Sequence, residues 1–242
     1  MMNAIAMNTN PISGKHLSSQ FEADLNELAA RIMAMGGLIE NQLDLAAAAM
    51  STGADVSKLA EENERNINAI EREVDAHSAF LIASRQPAAQ DLRYVLSMLK
   101  VCNNLERVGD EAVKLCLRSA GMKGMRAAGD GDLNPLSTGI MTLLGLAREM
   151  TVNALDCIAR LSVKDAKAVL TSDVTLDASY RALIASLIQA MTRYPTEAAS
   201  LVEVLFLAKA VERIGDHATN IAEAVIYIVN GEDVRHAQKP LA

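Results

Sequence analysis

Apolar residues recur along most of the chain at spacings of three and four, the periodicity of packed helices rather than the alternation of strands. One seam shows it well: Asn63, Ile67, Ile70, Val74, His77 and Leu81 fall on one helical face. Breaks between such stretches predict six helices, at about Ser18 to Met50, Asp55 to Arg85, Ala88 to Ala120, Leu136 to Leu161, Lys164 to Arg193 and Thr196 to Asn230. Pro87 suits the first turn of the third helix. Pro195 breaks the fifth, and Gly231 reads as a C-terminal cap on the sixth. The Gly-rich polar stretch GMKGMRAAGDGDLNPLSTG is the best linker in the chain.

The pattern also repeats. LERVGDEAVKLC and VERIGDHATNIA align without a gap at an offset of 106. The first and fourth helices can be matched through Leu43-Asp44 and Leu155-Asp156. The expected fold is therefore all-α, two tandem pseudo-repeated three-helix bundles with six long helices. The expected organisation is a flexible tail over 1–17, a first bundle over 18–120, a linker over 121–135, a second bundle over 136–230 and a tail over 231–242.

Composition narrows the function classes. Half of the 242 residues are apolar, yet there is no Trp, with three Phe and four Tyr, so Ala, Leu, Ile and Met fill the core. A net charge of −7 without a Lys/Arg cluster argues against direct nucleic-acid binding. No apolar run is long enough to span a membrane, and the opening MMNAIAMNTNPISGKH lacks the layout of a signal peptide. Cys102, Cys116 and Cys157 have no CxxC spacing and read as small buried residues in a reducing cytoplasm.

The candidate chemistry lies in acids four residues apart. Thirty acids in 242 positions yield about three to four such pairs by chance, and five occur, so number alone means nothing. Position means more. Glu106/Asp110 and Glu212/Asp216 are equivalent in the repeat, and Glu71/Asp75 matches Asp173/Asp177 at an offset of 102. Glu40/Asp44 fails this test, because Glu40 falls opposite Val152. Acids one turn apart share a helix face and repel mildly. Two such faces meeting across antiparallel helices repel further, by up to about 4 kcal/mol per close pair at an effective dielectric near 20. Such faces either point to water or hold a cation, and an all-carboxylate set suits Fe, Mn, Mg or Zn. Gly109 and Gly215, each beside the second acid, imply close helix approach or room for a ligand, since a mid-helix Gly costs about 0.8–1 kcal/mol. His217 follows Asp216 and is a candidate nitrogen ligand, whereas His77 belongs to the packed seam.

ASRQPAAQDLRYVLSMLK, LERVGDEA and VERIGDHATNIAEAVIYIVNGEDVRH, with the two-fold three-helix pattern, resemble the PhoU family of phosphate-uptake regulators. The resemblance runs from about residue 20 to 236. It implies a cytoplasmic protein, a homodimer, holding transition-metal ions as iron or zinc clusters. Glu71, Asp75, Glu106 and Asp110 would hold metal in one half; Asp173, Asp177, Glu212 and Asp216 would do so in the other. It further implies a negative regulator joining the ATPase of a phosphate ABC transporter to the phosphate sensor histidine kinase, with no enzymatic activity of its own. Asn104 stands where the family often has Asp. Lys114 stands opposite Asn220, where it is expected to pair with Asp110 and disfavour metal in the first half. A carboxylate-bridged di-metal enzyme is the rival reading. Such bundles use Glu-x-x-His, whereas Glu73/His77 and Glu232/His236 are four apart. A metal-free dimerising bundle is the third.

Overall fold

The computed structural model describes residues 19–119 and 133–234, and the outer tails and most of the expected linker lie outside these ranges. Six long helices account for nearly all of the described residues: α1 (Ser19–Thr52), α2 (Ser57–Arg85), α3 (Ala89–Arg118), α4 (Asn134–Arg160), α5 (Val163–Arg193) and α6 (Ala198–Asn230), with a single 3₁₀ turn at Pro195–Glu197.

The breaks follow from local chemistry. Ser162 caps α5 by accepting a hydrogen bond from the Asp165 amide at 3.3 Å. Gly231 ends α6 in the left-handed region at φ 76, donating its N–H to the Tyr227 carbonyl at 2.9 Å. Pro135 lies in the first turn of α4. Pro87 is different from expectation: it precedes the Ala88 N-cap and so lies in the turn before α3. Two helix ends carry no glycine signal at all, since Gln86 and Leu161 adopt φ 48 and φ 47.

Neighbouring helices run antiparallel within each bundle, as constant sums of paired residue numbers require. His77 and Arg85 reach Asp24 while Asn63 reaches Leu38 and Gln42. α3 and α6 form the seam between the bundles, also antiparallel, with Arg93 on Ile228, Asn104 on Asn220, Glu111 on Arg213 and Arg118 on Glu203. α1 also packs on α4, where Arg148 Nε donates to Asp44 at 2.7 Å. Apolar residues of all six helices join in a single core, so the halves are repeats sharing one interior.

Burial corrects the repeat alignment. Ile32, Met35, Ile39, Ala46 and Met50 are buried in α1, and Ile140, Leu143, Ala147, Ala154 and Ile158 in α4, all at an offset of 108. Asp44 is thus equivalent to Val152, and the Leu43-Asp44 match to Leu155-Asp156 is one turn out of register. In α2 and α5 the buried pairs Ala60/Val169, Ile67/Leu176, Val74/Leu183 and Ser78/Leu187 share an offset of 109, and Ile67 meets Gly109 as Leu176 meets Gly215. Glu64 is therefore equivalent to Asp173, and Glu71 to Tyr180. The matching of Glu71/Asp75 with Asp173/Asp177 is likewise slipped, by two turns. A slip of one or two turns keeps every side chain on nearly the same helix face, so periodicity alone does not detect it.

Candidate functional site: two acidic grooves

The first groove lies between α2 and α3. Gly109 brings the helices together, since a Cβ there would lie 3.2 Å from Ile67 and 3.1 Å from Ile39. Glu64 and Glu71 on α2 and Glu106 and Asp110 on α3 lie close enough to act on one another's charge. Burial, then Asp110, Glu71 and Glu64, push the Glu106 carboxyl above its ordinary value of 4.5, against the opposing effect of Arg107. Glu64 is also raised, by burial and then by Asp110 and Glu61, with Arg65 opposing. Asp75 stands one turn further along, exposed, near Cys102. Burial raises the Cys102 thiol to about 12, with Glu71, Asp75 and Glu106 adding to the shift. Cys102, Cys116 and Cys157 are all buried free thiols.

The second groove, between α5 and α6, has the same frame and a different charge balance. Gly215 brings the helices so close that a Cβ would meet the Leu176 side chain at 2.0 Å. Both signature glycines therefore serve close helix packing, with apolar atoms where a ligand would otherwise have been expected. Lys209 Nζ donates to Glu212 at 2.6 Å and rests on the Tyr180 ring at 5.8 Å. Its pKa is raised chiefly by the Glu212 hydrogen bond, with burial opposing and Glu212, Tyr180 and Asp216 adding. Arg181 lies 3.9 Å from Asp177. The contacts of Tyr180 with Lys209 and Leu176 with Gly215 set the register, which places Asp177 beside Glu212 and Asp173 beside Asp216. Asp173 is buried.

Three expectations about neighbouring residues change. Lys114 does not pair with Asp110; its Nζ donates to Glu111 at 2.9 Å, and Arg213 reaches the same buried carboxylate at 2.8 Å. Lys209, in the other half, is a lysine that does bind a signature acid, Glu212. His217 turns towards α3, with Nδ1 3.0 Å from Asn104 Oδ1, and so does not complete the α5·α6 acid set. Burial, then Arg213, lower its pKa. His77 sits half-buried at the rim, Nε2 3.0 Å from the Asp24 carbonyl oxygen. Glu73, four residues before it, pairs with Arg31.

Pair counting missed Glu64, which is seven residues from Glu71 and on the same face. It also missed Lys209, because acids alone were counted. Among the described residues, no three His, Cys, Asp or Glu side chains converge closely enough to hold a metal ion. By donor chemistry the first groove suits a hard or borderline cation, which would relieve the burial and repulsion that raise Glu64 and Glu106. The second groove already has an ammonium on Glu212.

Fold and site together define an all-helical, internally duplicated protein whose bundles each carry an acid-lined groove. A family model described as the PhoU domain matches twice, over residues 32–118 and 140–225. A phosphate-specific transport system accessory protein PhoU homolog from Pseudomonas putida is 36% identical over 222 residues, covering 91% of this chain and 85% of that one. The phosphate-specific transport system accessory protein PhoU of Escherichia coli strain K12 is 35% identical, covering 92% and 90%. A crystal structure of PhoU from Pseudomonas aeruginosa superposes with a TM-score of 0.81 at 33% identity, over 88% of this chain and 100% of that one. The chain belongs to the PhoU family.

Proposed function

We propose that this protein is an accessory factor of a phosphate-specific transport system, a cytoplasmic negative regulator that joins the transporter's ATPase to the phosphate sensor histidine kinase. The observation that carries the reading is similarity along both repeats to relatives named as accessory proteins of that system. The form suits a scaffold. Six long helices offer extended faces, and Val174 and Ile188 on α5 with Leu117, Val202 and Phe206 near the α3·α6 end leave large apolar groups exposed for protein contact. No helix among the described residues is long and apolar enough to cross a membrane, so membrane-bound components would be reached through such contacts. Self-association as a homodimer belongs to the same proposal.

Metal binding is the second part of the proposal. Iron or zinc would be held by Glu71, Glu106 and Asp110, with Glu64 and Asp75 at the edges, and secondarily by Asp173, Asp177, Glu212 and Asp216. The metal would draw the acidic faces together and stiffen each bundle. A metal-free bundle is the competing reading, favoured by the lack of three converging donors among the described residues. The di-metal enzyme reading is weakened by Glu73, which is committed to Arg31.

Co-purification of the full chain with the transporter ATPase and with the kinase tests the adaptor role. Capture of both is expected, and failure to capture either one at micromolar concentrations would overturn it. Sedimentation should give twice the chain mass if the dimer is right.

A further inference from the structure

The duplicated signature sets an arginine beside each glutamate, Arg107 in LERVGD and Arg213 in VERIGD, and the acidic grooves leave both without a role. At 3.6 residues per turn, neighbours in the chain stand about 100° apart round a helix. Each glutamate therefore turns to its own groove, and each arginine to the outer face of the α3·α6 seam that the two halves share. The antiparallel register that puts Arg213 on Glu111 and Asn220 on Asn104 brings the two arginines within about one turn of each other along the seam. Lys100 and Lys114 extend the row on α3, each seven residues from Arg107, or about 10.5 Å along the axis. Burial, then Arg213, lower the His217 pKa; Arg107 and Lys114 add to the shift and Glu111 opposes it, so three of these cations act on one imidazole.

What faces solvent along this row is positive. The side chains of Arg107, Lys114 and Arg213 are 51%, 48% and 45% exposed, whereas the carboxylates they touch, Glu106 and Glu111, are 17% and 4% exposed. Lys100 is exposed as well, its Nζ over the Tyr227 ring at 5.4 Å. Four cations thus stand above two sunken carboxylates in a chain of net charge −7. The sequence shows no basic run, because the row takes one residue in seven from α3 and a single residue from α6. The positive strip is also narrow. Glu106 and Asp110 border it on the α3 side, and Glu212 and Asp216 on the α6 side. A broad polyanion, such as a bilayer or a duplex, would meet those acids too. Among the described residues between Lys100 and Lys114, and between Arg213 and Tyr227, no large apolar side chain is exposed, so this stretch has nothing to bury in lipid.

We infer that this strip docks a single acidic helix of a partner protein, which lies along the seam with carboxylates seven residues apart. Those carboxylates meet Lys100, Arg107 and Lys114 in turn, and Arg213 stands beside the central one. A helix about 10–12 Å across suits a strip one helix pair wide, and a seven-residue repeat keeps the acids on nearly one face. The acids that border the strip disfavour partners with negative charge on their flanks. Exposed pairs of this kind set orientation and speed of association more than strength. This deepens the adaptor reading, and rests on it for the presence of a protein partner.

The test uses the full chain at low salt and two Ala/Gln helical peptides of about 18 residues with equal charge. One carries three Glu seven residues apart; the other carries them five apart, which spreads them round the helix. The first should give saturable backbone amide shifts at positions 100, 107, 114 and 213, with a Kd of about 0.1–1 mM. It should bind at least about threefold more tightly than the second, and lose affinity as salt is raised. Lys100→Gln/Arg107→Gln, which leaves the pairs on Glu111 in place, should weaken binding about tenfold while the helical spectrum is kept. Neither the transporter ATPase nor the kinase enters this assay, so its failure and a failure of co-purification are read apart. No saturable shifts, equal binding of the second peptide, undiminished binding to the double variant, or displacement of the peptide by phosphatidylglycerol vesicles would overturn the inference.

Discussion

The two acidic grooves are built on one repeat and differ in how their charge is balanced. In the first, burial and the neighbouring carboxylates raise the proton affinity of Glu106 and Glu64, and Arg107 at 3.5 Å from Glu106 offers weak relief. In the second, the Asn103-equivalent position is Lys209 and the Glu71-equivalent position is Tyr180, so an ammonium and the ring it rests on stand where the first groove has an amide and a further acid. The difference teaches that duplicated acidic motifs need not be duplicated sites. Two substitutions on the same frame are enough to turn an anionic groove into one whose charge is met from within.

Exchanging those groups gives the largest expected effect. Asn103→Lys should place an ammonium beside Glu106 as Lys209 sits beside Glu212, and Lys209→Met should expose the second groove's charge. Divalent-metal affinity, read by calorimetry, is expected to fall at least about tenfold in the first variant and rise in the second. Movement of both in the same direction would break the contrast.

The glycines come next. Gly215→Ala must displace Leu176 from a 2.0 Å contact, an overpacking cost of about 1–3 kcal/mol against a helix-propensity gain of about 1 kcal/mol. A net loss of about 1 kcal/mol in denaturant unfolding is expected. Gly109→Ala, whose neighbours at 3.1 and 3.2 Å need give only slightly, should be near neutral.

Removing single charges gives the smallest effects, and they should be of opposite sign. The folded-state pKa of Glu106 is raised above 4.5, so the folded chain holds that proton more tightly and the ionised carboxylate costs stability at neutral pH. Stability from this group rises as pH falls from neutrality through its raised folded-state pKa towards 4.5, and levels off below. Glu106→Gln should raise stability at pH 7 by roughly 0.5–1 kcal/mol and flatten that pH dependence. Glu212→Gln removes the charge that Lys209 pairs with and should lower stability by about 0.5 kcal/mol.

Much of the architecture is legible in the sequence, because long helices with an apolar face announce their length and Pro, Gly and polar clusters mark their breaks. All six helix starts fall within two residues of expectation. Gln86 and Leu161 end helices in a conformation whose usual marker, glycine, they lack. The register of the repeat was harder to read. Leu43-Asp44 resembles Leu155-Asp156 as text, yet burial places Val152 opposite Asp44, and only the depth of each side chain distinguishes registers one turn apart. The candidate site shows the same limit. Acids at i,i+4 are visible, but whether Lys114 turns to Asp110 or to Glu111 depends on Arg213 and α6 bringing charge to the other side of the helix.

The most direct test is metal content by mass spectrometry, on full-length protein purified without chelator, for Glu106→Ala/Asp110→Ala beside Glu212→Ala/Asp216→Ala. The predicted result is that the first pair of substitutions removes most of the bound iron or zinc and the second removes the smaller share. Equal losses, a larger loss from the second pair, or an unsubstituted chain free of transition metal would contradict it.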